Sequence, residues 1–178
     1  MKSWLQTIVF LLLSILIVLL DVAFFPAMGN MIFVNLILTV SLFILVIFNM
    51  NLGTQFFIVS VVLSDLTSGS FLLMHLIGGI MVLMLMNWLF ESFFTNRSYY
   101  SLIAIGFLGW SIYYLIVFIA TLTIRFFDSS AYTYTITTAW LKWILVGLSV
   151  ELLILSLLYT STVIFHKGIK SYFIVSRD

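Results

Sequence analysis

Cysteine is missing from the 178-residue sequence, and charged residues are scarce. Without cysteine the chain forms neither disulfides nor zinc–thiolate sites, and it has no thiol nucleophile. Only 7% of its residues are charged and the formal net charge is +1, so it lacks the basic surface of a nucleic-acid-binding protein. The two histidines, with no Walker, Rossmann or His-Glu-x-x-His motif, leave no residue set typical of an enzyme or a cofactor site. We therefore expect no catalysis, no cofactor, no metal and no nucleic-acid partner.

Apolar residues dominate instead, at 64% of the chain, which is far above the composition of soluble proteins. They form runs of a length that crosses a bilayer, for which about 20 residues are needed. We predict an all-α, polytopic membrane protein, folded as one domain over residues 1–178 into a compact bundle of about six transmembrane helices. The predicted spans are residues 4–20, 31–48, 52–66, 71–90, 99–124 and 138–165. The third is short for a complete crossing.

The N-terminal run has a second interpretation, because Lys2 followed by apolar residues is also typical of a signal peptide. Asp21 stands where cleavage needs a small residue, so a first transmembrane helix is favoured. Lysine and arginine then set the orientation, since they concentrate on the cytoplasmic side of membrane proteins. One predicted side carries Lys2, Arg97, Lys167, Lys170 and Arg177, whereas the other carries Arg125 with Lys142 nearby. This asymmetry predicts that both termini lie in the cytoplasm.

A polar stretch, Asp65-Leu66-Thr67-Ser68-Gly69-Ser70, interrupts the apolar runs near the middle of the chain. It is typical of a tight turn between two helices at a membrane surface. Gly69 is suited to the positive φ that ends a helix, and Thr67, Ser68 or Ser70 to capping the next one. With both termini in the cytoplasm, this turn faces outward.

The pattern Asn-x-Gly, an apolar run, then Asp-Leu-x-Ser-Gly-Ser resembles the signature of MreD, the family of bacterial rod shape-determining membrane proteins. The residues that carry it are Asn51, Gly53, Asp65, Leu66, Ser68, Gly69 and Ser70. The resemblance extends from the end of the first apolar run to the end of the fourth, roughly half of the chain. The later part of the chain matches only in hydropathy.

The resemblance implies a non-enzymatic scaffold of the cell-elongation machinery in the bacterial inner membrane. Members of the family bind MreC, a single-pass protein, and help couple MreB filaments to lateral peptidoglycan synthesis by RodA and a penicillin-binding protein. The family is also similar in architecture to the S-components of energy-coupling-factor transporters. The alternative is therefore a substrate-binding subunit for vitamin or metal uptake. Against it, the first helix has only Ser14 as a small residue, where S-components carry an Ala-x-x-x-Ala motif.

Ionisable side chains inside a bilayer are costly and mark candidate sites. Glu151 is the sharpest case, because it lies near the middle of the sixth span. It should face the bundle or a partner, and Tyr113 or Tyr114 lies at a matching depth in the fifth span. Three interpretations stay open for Glu151: a protonated structural group satisfied inside the bundle, a partner- or ligand-binding group, and a proton-coupling group.

Three other ionisable residues are candidates for buried polar or partner contacts. His75, one turn into the fourth span, is placed to meet Asp65 across the turn. It is either a hydrogen-bonded structural residue or a ligand-binding one. Asp65 either caps a helix or shapes the outward surface together with the turn. Lys142 either extends its amine towards the membrane surface or pairs with Asp65 or Asp21.

Overall fold

The computed structural model describes residues 2–24, 27, 34–68, 72–94, 98–127 and 138–166. These residues form an all-α bundle without a β-strand, which confirms the predicted fold class. The helices are α1 (Lys2–Leu19), α2 (Leu36–Ile47), α3 (Met50–Ser68), α4 (Leu72–Phe93), α5 (Tyr99–Phe127) and α6 (Thr138–His166). A π-helical segment, Leu20–Phe24, continues α1.

The shortest helix, α2, is the centre of the bundle. Every residue from Leu36 to Val46 is buried, so α2 has no exposed face over this stretch. All five other helices contact it. They follow one another around it in the order α1, α3, α4, α5, α6, and within the described residues α1 and α6 do not contact each other. The core is therefore one central helix with an arc of five helices around it.

Glycines bring several of these helices unusually close together. A Cβ atom built on Gly53 would lie 2.9 Å from the carbonyl oxygen of Ser41, so α3 packs directly on the backbone of α2. A Cβ atom on Gly79 would overlap the ring of Phe57, which links α4 to α3. Gly78, by contrast, has ordinary van der Waals space. Leucine side chains occupy the space beside two further glycines, both on α5. Leu155 lies beside Gly106, and Leu42 lies beside Gly109.

Length and composition identify a multi-pass membrane protein. Among the residues that the structure describes, three helical stretches are long and apolar enough to cross a bilayer: His75–Phe93, Tyr99–Ala120 and Ile144–Ile164. The same residues include three shorter apolar helical stretches: Ile8–Phe24, Leu36–Ile47 and Met50–Leu66. These shorter stretches belong to α1 with its π-helical continuation, to α2 and to α3.

Two predicted boundaries differ from the structure because asparagines cap the helices. The second span was expected to begin at residue 31, but α2 begins at Leu36, after the N-cap Asn35. The third was expected to begin at Leu52, but α3 begins two residues earlier, because the Asn49 side chain accepts the amide hydrogen bond of Leu52 at 2.8 Å. In both cases the side-chain oxygen satisfies an amide that a helix leaves free.

The predicted turn after the third span also begins later than expected. The helix α3 continues past Leu66 to Ser68, so Asp65 lies in its last turn. A residue with helical neighbours on both sides is not an N-cap, and the capping role considered for Asp65 does not apply. Gly69 and Ser70 lie outside the described residues. The remaining helices end within three residues of the predicted limits.

Candidate functional site

The start of α2 lies inside the bundle. With 12 residues the helix is about 18 Å long, well short of the roughly 30 Å apolar core of a bilayer. Its first residues meet Glu151, which lies at the centre of the 29-residue helix α6. They also share a cavity with Tyr113, at the centre of the 29-residue helix α5. The central helix therefore starts halfway along its neighbours.

A helix start in such a place exposes amide donors that need partners. Three side chains supply them. The Asn35 side-chain oxygen accepts from the Leu38 amide at 2.9 Å. The Glu151 carboxylate oxygen accepts from the Asn35 amide at 2.6 Å, and Asp21 accepts from the Leu36 amide at 2.7 Å. Two carboxyl groups at the positive end of the helix dipole stabilise it further.

Glu151 is held by this arrangement, with only 3% of its surface exposed. The geometry matches the structural interpretation, in which hydrogen bonds inside the bundle satisfy the side chain. Two partners were expected, Tyr113 and Tyr114. The Tyr113 hydroxyl lies 2.7 Å from the Nδ1 atom of His75, and Tyr113 borders the same cavity as Asn35, whose amide donates to Glu151.

These contacts place polar side chains from five helical segments around the start of α2. His75 on α4 pairs with Tyr113 on α5, and Asn35 at the start of α2 donates its amide to Glu151 on α6. Asp21 accepts from the amide of the residue after Asn35. We call these five side chains the polar network. The bonds to Glu151 and Asp21 hold the start of the central helix.

A cavity of about 210 Å³ adjoins the network. Its polar lining residues come from five segments: Asp21, Asn35, Ser64, Asp65, His75, Tyr113 and Tyr114. Asp65 and His75, which were expected to meet across the turn, both line this cavity. The rest of the lining is apolar and includes Phe57. The cavity lies between the start of α2 and the end of the bundle where α3 finishes and α4 begins.

Two members of the site were not recognised from the sequence. Asp21 was considered only as a residue that argues against cleavage and as a candidate partner of Lys142, but the π-helical segment carries it to the start of α2. Asn35 was placed inside the second span, although it is the N-cap of α2. One signal was present for Asn35: an N-cap residue type directly before a run that is apolar except for Thr39 and Ser41.

The other motif residues have separate environments. Gly53 packs on α2, as described above, whereas Asn51 and Leu66 are exposed. Ser68 is the last residue of α3. Lys142 is exposed on α6 and is not among the residues that line the cavity, so the structure does not bring it to Asp21 or Asp65 there.

A metal centre is not built into the part of the chain that the structure describes. No group of three or more histidine, aspartate or glutamate side chains there is arranged to hold an ion. Any ligand of the cavity would meet single carboxylates, hydroxyls and aromatic rings.

Comparison with known proteins adds no further assignment: no family model, no curated protein and no solved structure matches this chain. The resemblance to MreD and the architectural likeness to S-components therefore stay predictions.

Proposed function

We propose that the chain is a non-enzymatic membrane scaffold of the rod-shape-determining type, which binds a single-pass MreC-like protein in the bacterial inner membrane. It helps to couple MreB filaments to peptidoglycan synthesis by RodA and a penicillin-binding protein. In this proposal the chain crosses the membrane six times, with the short helix α2 covering only part of the second crossing, and both termini are cytoplasmic. The supporting observation is the Asn-x-Gly…Asp-Leu-x-Ser-Gly-Ser pattern, in which Gly53 allows α3 to pack on the backbone of α2.

The arrangement of helices favours one position for the partner's membrane segment. Within the described residues, the arc around α2 is open between α1 and α6. Both helices also present large apolar side chains outward, such as Leu12 on α1 and Leu153 on α6. Helix association in a bilayer depends on close van der Waals packing. A single additional helix between α1 and α6 would complete the ring.

Co-expression tests the scaffold role directly. The full chain is produced together with the MreC-like protein encoded in the same genome and purified in a mild detergent. We expect one complex in size-exclusion chromatography with light scattering. An unrelated single-pass protein with a span of equal length is the control and should elute separately. Two well-folded proteins that also stay apart in lipid nanodiscs would contradict the proposal.

Cross-linking locates the partner's helix, and the absence of cysteine from the chain makes this experiment clean. Leu12→Cys and Leu153→Cys place a thiol on the exposed surface of each of the two helices that border the opening. Met84→Cys is the matched control, because Met84 is similarly exposed but lies on α4, which contacts neither α1 nor α6. We expect disulfide formation with a cysteine in the partner's span at the first two positions only. A cross-link at Met84 alone would show that the complex forms, but that the partner's helix binds beside α4.

The polar cavity favours a second candidate function, a substrate-binding subunit of an uptake transporter. Such a subunit needs a concave site with polar groups, and the cavity is a concave site of this kind. It also needs an ATPase module, so co-purification with an energy-coupling module from the same genome distinguishes the two candidates. A stable complex with that module, and none with the single-pass protein, would favour transport.

A further inference from the structure

Exposed aromatic side chains gather where α2 ends, where α4 ends and where α5 begins. In the part of the chain that the structure describes, seven large aromatic side chains are exposed, and only Phe24 and Phe107 lie elsewhere. We call the other five the aromatic collar. Its members are Phe48, Trp88, Phe93, Tyr99 and Tyr100.

Helix geometry brings the members of the collar to one end of the bundle. The helices α2, α4 and α5 meet at Gly109, where a Cβ atom would lie 2.8 Å from a Leu42 methyl carbon and 3.3 Å from the Met86 Cγ atom. The cavity lies on one side of this contact, where α2 and α4 begin. One collar residue of each helix lies on the other side, about six to nine residues away, or about 9 to 14 Å at 1.5 Å per residue. These residues are Phe48, Phe93 and Tyr100.

The exposed side of α4 changes from apolar to polar at the collar. Along most of the helix it presents apolar side chains that are more than half exposed, including Ile77, Met81 and Met84. Trp88 follows about one turn later, and Glu91, an exposed carboxylate, about one turn after that. A charged side chain is costly in the hydrocarbon of a bilayer. The boundary between hydrocarbon and lipid headgroups therefore lies close to Trp88.

The chemistry of the collar fits this boundary. Trp88 is 60% exposed and Tyr100 is 82% exposed, and each combines an apolar ring with a hydrogen-bond donor. Such side chains are enriched at the headgroup level, where the ring meets lipid chains and the donor meets ester, phosphate or water oxygens. Edge-to-face contacts join Trp88 to Phe93, with ring centroids 6.2 Å apart, and Tyr99 to its neighbour at 5.9 Å. The Tyr99 hydroxyl instead lies 3.0 Å from that of Ser156, inside the protein.

We propose that the aromatic collar binds the ester and phosphate layer of one phospholipid leaflet and thereby fixes the depth of the bundle in the membrane. Because Phe48 follows the last residue of α2 and this helix is about 18 Å long, the start of α2 lies about 18 Å from the collar. That is just beyond the middle of an apolar core of roughly 30 Å. The start of α2 and the cavity then belong to the opposite half of the bilayer. The collar is independent of the scaffold role, since it is argued from exposed side chains alone.

Spin labels measure this depth, and the cysteine-free chain accepts them at single chosen positions. Ser92→Cys places a label beside Phe93 and keeps every aromatic ring, since Ser92 is exposed. Leu108→Cys and Leu115→Cys label exposed positions about 12 and 22 Å from Tyr100 along α5. The full chain is reconstituted in vesicles of phosphatidylethanolamine and phosphatidylglycerol. The ratio of label accessibility to oxygen over a water-soluble nickel chelate increases with depth, and we expect it to be lowest at Ser92, highest at Leu108 and intermediate at Leu115.

A pair of variants tests whether the collar itself sets the depth. Trp88→Leu combined with Tyr100→Leu removes two amphipathic rings, and leucine favours the hydrocarbon, so the ratio at the Ser92 label should shift towards that of the Leu108 label. Phe107→Leu is the matched control, because Phe107 is an exposed aromatic residue of α5 outside the collar. It should leave the ratio unchanged. Thermal unfolding in detergent checks that the variants fold.

Four results would overturn the inference. The first is a Ser92 label as deep as the Leu108 label, and the second is a Ser92 label as accessible to the nickel chelate as one on the unfolded chain. The third is a Ser92 ratio that the double leucine variant leaves unchanged. The fourth is a Ser92 label shielded from both oxygen and the chelate, which would show that protein rather than lipid covers the collar.

Discussion

The two halves of the bundle hold the central helix by different means. Where α2 ends and α3 begins, the contacts are apolar and backbone meets backbone at Gly53. Where α2 begins, the contacts are hydrogen bonds from Asn35, Glu151 and Asp21 to amides, beside a cavity. We call these the apolar half and the polar half.

The difference follows from what each half must satisfy. A helix end near a membrane surface finds water for its free backbone groups, so the apolar half is free to maximise close packing. A helix start inside the bundle has no water and must recruit side chains. A glycine brings two helix backbones into contact in the first half, whereas a cavity lies beside the hydrogen bonds of the second. We therefore expect the apolar half to contribute most to the free energy of folding, and the polar half to contain the binding site.

The largest effect is expected in the apolar half, from Gly53→Ala. The new Cβ atom would lie 2.9 Å from the Ser41 carbonyl oxygen and 3.0 Å from the Leu45 Cβ atom. Because these atoms belong to the backbone or lie next to it, α2 and α3 must separate. We expect a loss of about 2 kcal/mol in the free energy of unfolding, measured by titration with sodium dodecyl sulfate in mixed micelles.

Gly78→Ala is the control for this substitution. Its Cβ atom would lie 3.5 Å from an Ile116 methyl group, which is ordinary contact. Since alanine favours a helix over glycine, the stability should stay equal or rise slightly. If both variants lost the same free energy of unfolding, the loss would not be caused by the close packing at Gly53.

The apolar half was also the more predictable one. Long apolar runs identify helices and a membrane protein without any knowledge of packing. The central position of α2 is consistent with its nearly uninterrupted apolar sequence, since a helix without a polar face is buried on all sides. The position of Gly53 in the motif was visible too, although which backbone it meets depends on the three-dimensional arrangement.

The polar half was less predictable for a physical reason. Residues 31–34 are apolar or β-branched in the same way as the helix that follows, so hydropathy does not show that α2 starts only at Leu36. His75 and Tyr113 are 38 residues apart, and their pairing depends on the rotation of α4 and α5 about their axes. Counting residues along α6 predicts the depth of Glu151. Its partner Asn35 can be identified only when the residue at which α2 starts is known.

The second effect concerns Glu151 in the polar half. Glu151→Leu removes the acceptor of the partly buried Asn35 amide, which costs about 1.5 kcal/mol when the donor is left without a partner. Glu151→Gln keeps an oxygen in the same place and should unfold close to the unmodified protein. The same detergent titration measures both variants. A glutamine variant as unstable as the leucine variant would show that the carboxyl group itself is required.

The smallest effect tests the bond between His75 and Tyr113, which lie 2.7 Å apart at the cavity. A double-mutant cycle of His75→Asn and Tyr113→Phe should give a coupling of about 1 kcal/mol, since the bond is half-buried and competes little with water.

The control is the bond between Tyr99 and Ser156, 3.0 Å long and exposed where α5 begins. Its cycle, Tyr99→Phe with Ser156→Ala, should give about 0.5 kcal/mol or less, because water replaces the lost partner. The ratio of the two coupling energies measures how far water is excluded from the polar half. Equal couplings would mean that water reaches the cavity freely.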